Sequence, residues 1–309
     1  MPQRSLKSWK YWRNLLLFTF VVLLIVSFGL CAYIARTRAI ALVHPTRTTA
    51  LRTPLDVGLE DWEDVSFLSE DGLLIYGWFI PSGREGASAT LIFVHGLGSN
   101  REGLLEQANL LHDHGYNALL LDLRNHGESE GLLTTLGYLE VHDIEGGIDY
   151  LLDRPDVDPE RIGLVGHSMG GATVIRAAAH SPQVKATVAE SAYASIEDNI
   201  SQGVREILGL PPFPFAPLVV WFGELEAGAD IHSVRPIDDL DQISPRAIMF
   251  IHGEQDELVV PDNSIRLYEA ATEPKSLYLI PDAGHGGLMS ADPDEFERQI
   301  VSFLDEYLK

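Results

Sequence analysis

Arg161-Ile-Gly-Leu-Val-Gly-His-Ser-Met-Gly170 decides how this chain is read. Residues 161–165 are an apolar run of strand type. Gly166-His-Ser-Met-Gly170 is a G-x-S-x-G sequence. Ala172-Thr-Val-Ile-Arg-Ala-Ala-Ala179 follows with good helix formers, and no proline comes before Pro182. Strand, sharp turn and helix in that order lift a serine hydroxyl clear of the backbone, and glycines flank it because side chains there would collide with the turn. In a chain with 27 glycines the pentapeptide alone is weak, and an idle serine in a glycine-rich turn is the alternative, so the surrounding pattern must decide.

Outward from this point, strand and helix patterns alternate. Val65–Phe67 and Leu74–Ile80, separated by Glu70-Asp-Gly72, read as a hairpin. Strands are expected at 89–94, 117–123, 161–165, 184–189, 247–252 and 276–280, and helices at 102–114, 137–153, 262–271 and 293–307. Near-continuous apolar strands alternating with helices predict an α/β fold, a mostly parallel central sheet with helices on both faces. The alternation breaks from about 195 to 239, too long for a connecting loop and therefore read as an inserted cap.

A serine hydroxyl is a poor nucleophile until a base takes its proton, and that base is usually a histidine held by a carboxylate. In a parallel sheet such groups belong at the C-terminal ends of strands, where crevices open. His285 follows strand 276–280 through Pro-Asp-Ala-Gly284 and precedes Gly286-Gly287. Asp256 follows strand 247–252 through Gly253-Glu-Gln. Together they give the order Ser, Asp, His. Glu190, Glu254 and Asp262 are rival acids, Glu190 the best of them. His167, inside the turn, reads as a packing or orienting residue. An oxyanion needs preorganised N–H donors; the expected pair is the backbone amides of Met169 and of Leu97, in the loop His95-Gly-Leu-Gly-Ser99. His95 is read as fixing that loop. No metal or organic cofactor is required.

These residues resemble the α/β-hydrolase fold family, close to its monoacylglycerol-lipase-like and serine-aminopeptidase-like branch. The matching pieces are His95-Gly96, Asp122-Leu-Arg-Asn-His-Gly-Glu-Ser129, Gly166–Gly170, Gly253-Glu-Gln-Asp256 and Asp282-Ala-Gly-His285, with an opening Ser69-Glu-Asp-Gly-Leu73 and Gly77-Trp-Phe-Ile-Pro81. The likeness runs from about residue 60 to 309. It implies a Ser168–Asp256–His285 triad beneath a cap, without fixing the substrate. The family usually has glycine where Asn125 stands. In that family the stretch around Arg124 is mainly structural, so Arg124 is expected to pair ions and order its loop rather than touch substrate.

The first 52 residues hold eight of the 22 Lys and Arg and none of the 45 Asp and Glu, so the remainder carries a net charge of −31. That excludes nucleic acid as an expected partner. Leu15 to Ala35 is uncharged and, as a helix, about 31 Å long, the thickness of a bilayer core. Basic residues flank it, and Trp9, Tyr11, Trp12 and Tyr33 sit near its ends. The division expected is a basic flank at 1–14, a transmembrane helix at 15–35 meeting the lipid bilayer, a linker at 36–59 and the catalytic domain at 60–309, outside the cytoplasm. A cleaved signal peptide with Ala39-Ile-Ala41 as its processing site is the competing reading, but the apolar run is longer than a usual signal core. The single cysteine, Cys31, excludes an intramolecular disulfide and any Cys-based metal site; lipidation there is disfavoured because Leu30 stands where a small residue belongs.

The expected activity is hydrolysis of a small-molecule carboxylic or acyl ester through an acyl-enzyme on Ser168. Phe213, Phe215, Trp221 and Phe222 of the cap are candidates for contacting an apolar acyl or aromatic group; packing the cap onto the sheet is their alternative role. A peptidase on the same triad would need an acidic pocket for a substrate ammonium, with Glu224 or Glu226 as candidates. A non-catalytic, membrane-tethered binding protein would be expected to lack a triad member, and none is missing.

Overall fold

The computed structural model describes the backbone of residues 4–309. Residues 1–3 of the basic flank expected at 1–14 lie outside the described residues, as do the side chains before Trp9. Eight strands form one sheet: β1 (Glu63–Leu68), β2 (Leu74–Ile80), β3 (Ser88–Val94), β4 (Asn117–Leu121), β5 (Val157–His167), β6 (Val184–Glu190), β7 (Ala247–Gly253) and β8 (Lys275–Ile280), in the order β1-β2-β4-β3-β5-β6-β7-β8. Antiparallel pairing is confined to β1–β2 and β2–β4; the other neighbours are parallel.

The helices are α1 (Arg4–Val43), α2 (Leu105–Asp113), α3 (Glu140–Leu152), α4 (Met169–His180), α5 (Ile196–Glu206), α6 (Pro212–Ala227), α7 (Pro236–Asp239), α8 (Asp262–Ala270), α9 (Leu288–Ala291) and α10 (Pro293–Leu308). Successive residues of a strand face opposite sides. Ile92 and Val94 of β3 therefore join a core with residues of α3 and α4, while Leu91 and Phe93 join a second core with residues of α2 and α10. Both faces are covered, as the apolar strands require.

Register brings the strand ends level. Val94 pairs with Gly166, His167 with Glu190, Glu190 with Ile251, and Gly253 with Ile280. The loops leaving β3, β5, β7 and β8 therefore emerge side by side at one edge, and α5, α6 and α7, inserted between β6 and β7, occupy the interval read as a cap.

The linker expected at 36–59 is corrected in part. Residues 36–43 continue α1, and Ala35, Ala39 and Val43 are buried. Their four-residue spacing puts small side chains on one helical face, which lets α1 pack closely beside α6, and His44 Nε2 lies 3.1 Å from Glu226 Oε1. Residues 48–52 are also tied down: Leu51 N donates to Glu102 Oε2 at 2.7 Å and Asn100 Nδ2 donates to the Thr48 carbonyl at 3.2 Å. A composition rich in Arg, Thr and Pro hides this, because the binding surface comes from distant segments.

Candidate active site

The turn after β5 is built by close contact. Ser168 has φ 58° and ψ −118°, a region that side-chain-bearing residues rarely adopt. A Cβ on Gly170 would stand 2.1 Å from the Val94 carbonyl oxygen, and one on Gly166 would stand 2.4 Å from the Gly170 carbonyl oxygen. Glycine on both sides of the serine is thus a steric requirement, and it presses the start of α4 against the end of β3.

The structure brings Ser168, His285 and Asp256 into one hydrogen-bonded chain. His285 Nε2 is 2.9 Å from Ser168 Oγ, and its Nδ1 is 2.7 Å from Asp256 Oδ2. Asp256 Oδ1 accepts from the amides of Leu258 and Val259, each at 2.9 Å. His252, fully buried, has Nε2 2.7 Å from the Val259 carbonyl oxygen and 3.2 Å from Asp256 Oδ2. Burial works against the charge on Asp256. The hydrogen bonds from His252, His285 and the Val259 amide outweigh it and hold the carboxyl well below the usual carboxylate range. The group is therefore an anion through the neutral range, able to orient an imidazole and stabilise it when it takes a proton.

The rival acid Glu190 is engaged elsewhere. Its Oε1 accepts from Gln107 Nε2 at 2.7 Å, and burial, only partly offset by that bond, pushes its pKa up to about 7. His167, whose ring centre lies 5.1 Å from that of His285, is pushed down to about 4 by burial and by the neighbouring His285. Its 3.8 Å approach to Glu190 is consequently no ion pair, since His167 is neutral above about pH 4 and Glu190 is neutral below about pH 7. Because the folded state holds the Glu190 proton more tightly than the unfolded chain, stability falls as pH rises from the ordinary Glu value to about 7. Glu190→Gln keeps an acceptor for Gln107 and removes that titration. Relative to wild type, its urea midpoint should rise between pH 5 and pH 8, by an amount on the order of a few kcal/mol in stability. An equal wild-type-to-variant difference at both pH values would contradict the assignment.

The loop after β3 is held by two neutral histidines. His95 is buried; its Nε2 accepts from the Leu123 amide at 3.1 Å, so Nδ1 carries the proton and donates to the Gly96 carbonyl at 2.8 Å. Burial and the adjacent His126 push His95 down to about 3. His126 Nε2 in turn accepts from the Gly98 amide at 3.0 Å. The Gly96 carbonyl also accepts from Ser99 N at 3.2 Å. In a planar trans peptide the next N–H points the opposite way from that carbonyl, so these bonds aim the Leu97 amide. Among the described residues, the amides of Leu97 and Met169 have no backbone partner, and both residues line the cavity at Ser168. A Cβ on Gly96 would lie 3.2 Å from Ser168 Cβ, so the loop touches the serine.

Arg124 is buried and bonded twice over. Its Nε and Nη2 donate to Asp143 Oδ1 at 3.0 and 2.7 Å, and its guanidinium meets Asp71 at 2.7 and 2.8 Å. The Arg124 bonds hold Asp71 at about 2. This matches the loop-ordering reading. Asn125 has φ 61°, a region that asparagine enters more readily than most side-chain-bearing residues, which fits its standing where the family usually has glycine.

The cavity at Ser168 is about 420 Å³ and is lined by Leu42, Leu97, Leu136, Met169, Tyr193, Ile196, Ile200, Leu258 and Val259 beside the polar groups above. The four cap aromatics expected there are not among its walls. Phe213 and Trp221 are exposed, at 78% and 52%, while Phe215 is buried and Phe222 packs against the core. The reason is that α6 packs on α1, and α5 presents its Ile196, Ile200 and Val204 stripe inward instead. Missed by sequence reasoning were Leu42, from the far end of α1, and that stripe, whose four-residue spacing was available as a signal.

The chain belongs to the alpha/beta hydrolase family, which matches residues 91–299. It is 31% identical over 284 residues to the uncharacterized protein YfhR of Salmonella typhi, covering 86% of each chain. Among solved structures, the Pyrococcus furiosus esterase Pf2001 is 28% identical with a TM-score of 0.73, covering 87% of this chain and 99% of that one. The Pyrococcus horikoshii acylaminoacyl peptidase shares the fold at 20% identity and a TM-score of 0.64, over 82% of this chain and 43% of that one. The protein is a hydrolase of the α/β fold.

Proposed function

We propose that this hydrolase uses Ser168 as nucleophile on carboxylic esters and is held to a bilayer by α1. The observation that carries the reading is the continuous chain from Ser168 Oγ through His285 to Asp256, at 2.9 and 2.7 Å. In the first half-reaction Ser168 Oγ attacks the acyl carbon while His285 Nε2 takes its proton, then returns it to the departing alcohol oxygen. In the second half-reaction water attacks the acyl-enzyme, its proton passing through the same nitrogen. The Leu97 and Met169 amides receive the oxyanion, each contributing roughly 10²- to 10³-fold. Asp256 orients His285 and balances its charge.

Ester rather than peptide chemistry is favoured by the cavity's walls, which carry no acidic side chain. Glu226 pairs with His44 and Glu224 Oε1 accepts from the His232 amide at 3.0 Å, so neither supplies a seat for a substrate ammonium. The likeness to Pf2001 supports the same choice. Anchoring is supported by α1, long and apolar enough to cross a membrane. Retention of the anchor is favoured over cleavage after Ala41, since Ala35 and Ala39, which cleavage would remove, are packed into the folded domain and the site is helical. The bilayer-spanning part is then about residues 15–35, with the domain from about 60 to 309.

Full-length protein in detergent should take up a fluorophosphonate probe at Ser168 and hydrolyse nitrophenyl acyl esters faster than aminoacyl nitroanilides. Absence of labelling on folded protein would remove the serine mechanism. Faster turnover of the anilides would replace the esterase with a peptidase.

A further inference from the structure

From Trp9 to Leu30 the side chains of α1 are exposed on all faces, and contact with the folded domain starts at Cys31. The uncharged stretch Leu15–Ala35 spans about 31 Å of helix, so the turn Cys31–Ala35, where contact with the domain starts, lies at the end of the hydrocarbon core. The contacts of α1 with α6 run in step: His44 meets Glu226, while Ala39, Leu42 and Val43 share a wall with Val219, Val220 and Gly223. The two helices therefore run in the same direction, and the loop before α6, with Ile207 60% exposed, comes beside Arg38, Ala41 and Leu42, in the turns that follow Ala35.

A second cavity, of about 230 Å³, lies between these elements. Its walls are Arg38, Ala41 and Leu42 of α1, Gly203, Val204 and Ile207 at the end of α5, and Val219 of α6. Leu42, Asn199, Ile200 and Leu258 line both it and the cavity at Ser168. The anchor helix thus forms one side of a mostly apolar cavity that adjoins the cavity at Ser168 across those four shared residues. Arg38 is the one charged wall residue, on the turn of α1 just beyond the interface.

We propose that the two adjoining cavities join into one passage that admits the acyl chain of an ester lipid directly from the bilayer, so that the anchor is a wall of the substrate site as well as a tether. The inference rests on the serine hydrolase and anchor readings above. Its occupant is a long-chain acyl ester resident in the membrane. The chain lies between α1 and α5, and the carbonyl reaches Ser168.

The test uses the full-length protein in phosphatidylcholine vesicles with umbelliferyl palmitate and umbelliferyl acetate. Palmitate ester carried in the same vesicles should be hydrolysed at least about tenfold faster than the same amount supplied in protein-free vesicles. Equal initial rates would overturn the proposal. A Cβ on Gly203 meets only Ile207 Cδ1, at 3.8 Å, so Gly203→Phe projects into the passage, and Ala41→Phe does so from the opposite wall. Each should lower the palmitate-to-acetate rate ratio at least about tenfold. A ratio unchanged in variants that still take up the fluorophosphonate also overturns it. Should either variant fail to fold, the other decides together with the wild-type vesicle comparison. Failure of the serine reading would show separately as unlabelled wild type, and failure of the anchor reading as protein released by alkaline extraction.

Discussion

Ser168→Ala is expected to lower kcat on nitrophenyl esters by about 10⁶-fold and to abolish fluorophosphonate labelling. The size follows from what the serine supplies. Without Oγ there is no covalent intermediate, and His285 has no proton to take from the enzyme. What survives is the Leu97–Met169 amide pair and the apolar cavity, which can still polarise a bound ester toward attack by water, a residual of roughly 10³- to 10⁴-fold over the uncatalysed rate. Fold should be preserved: an alanine side chain meets the same φ of 58° that the serine already tolerates, and Ser168 Oγ has His285 as its hydrogen-bond partner. The diagnostic is non-additivity. If Ser168 and His285 act as a unit, adding His285→Ala to Ser168→Ala should change kcat by less than about tenfold. Activity of the single variant above one part in about 10³ of wild type, in a preparation free of other esterases, would show that another group attacks the substrate.

The positions of Ser168, His285 and Asp256 could be read from the sequence because a parallel sheet sends every strand's C-terminal loop to one edge. A nucleophile turn after β5 then draws on the ends of β6, β7 and β8, which follow it in the sheet. Glu190 was a credible rival at that level, since it too ends a strand; only the side-chain geometry, with Gln107 on Glu190 and His285 on Asp256, separates the two. The cavity walls were less legible. Phe213, Phe215, Trp221 and Phe222 form the most apolar stretch of the cap, yet which face of that stretch meets the serine depends on α1, more than 150 residues earlier in the chain. Likewise nothing local in Arg36–Val43 marks it as helix against a folded partner. Ala35, Ala39 and Val43 acquire meaning only once α6 lies beside them.

Asp256→Asn should cost about 10⁴-fold in kcat while leaving the hydrogen-bonded framework recognisable. The structure fixes which way the new amide turns. Oδ1 accepts from two backbone amides, Leu258 N and Val259 N, and only a carbonyl oxygen can keep both bonds. The –NH₂ must then occupy the place of Oδ2, 2.7 Å from His285 Nδ1. A donor there makes Nδ1 the acceptor, moves the ring proton to Nε2 and leaves no lone pair facing Ser168 Oγ, so the base is present in the wrong tautomer. The same –NH₂ confronts His252 Nε2, 3.2 Å away, which donates to the Val259 carbonyl. Donor against donor in a buried site should also lower the unfolding free energy, by about 1–3 kcal/mol. Asp256→Ala removes the clash but also the acceptor for the two amides. It should therefore destabilise the loop without a wrong-tautomer lock, leaving His285 free to rotate. Slow fluorophosphonate labelling in Asp256→Asn, with a denaturation midpoint lowered only by that modest amount, is the expected pattern. A kcat within about tenfold of wild type would mean that Asp256 does not set the state of His285, and the assignment of Asp256 as its orienting carboxylate would have to be abandoned.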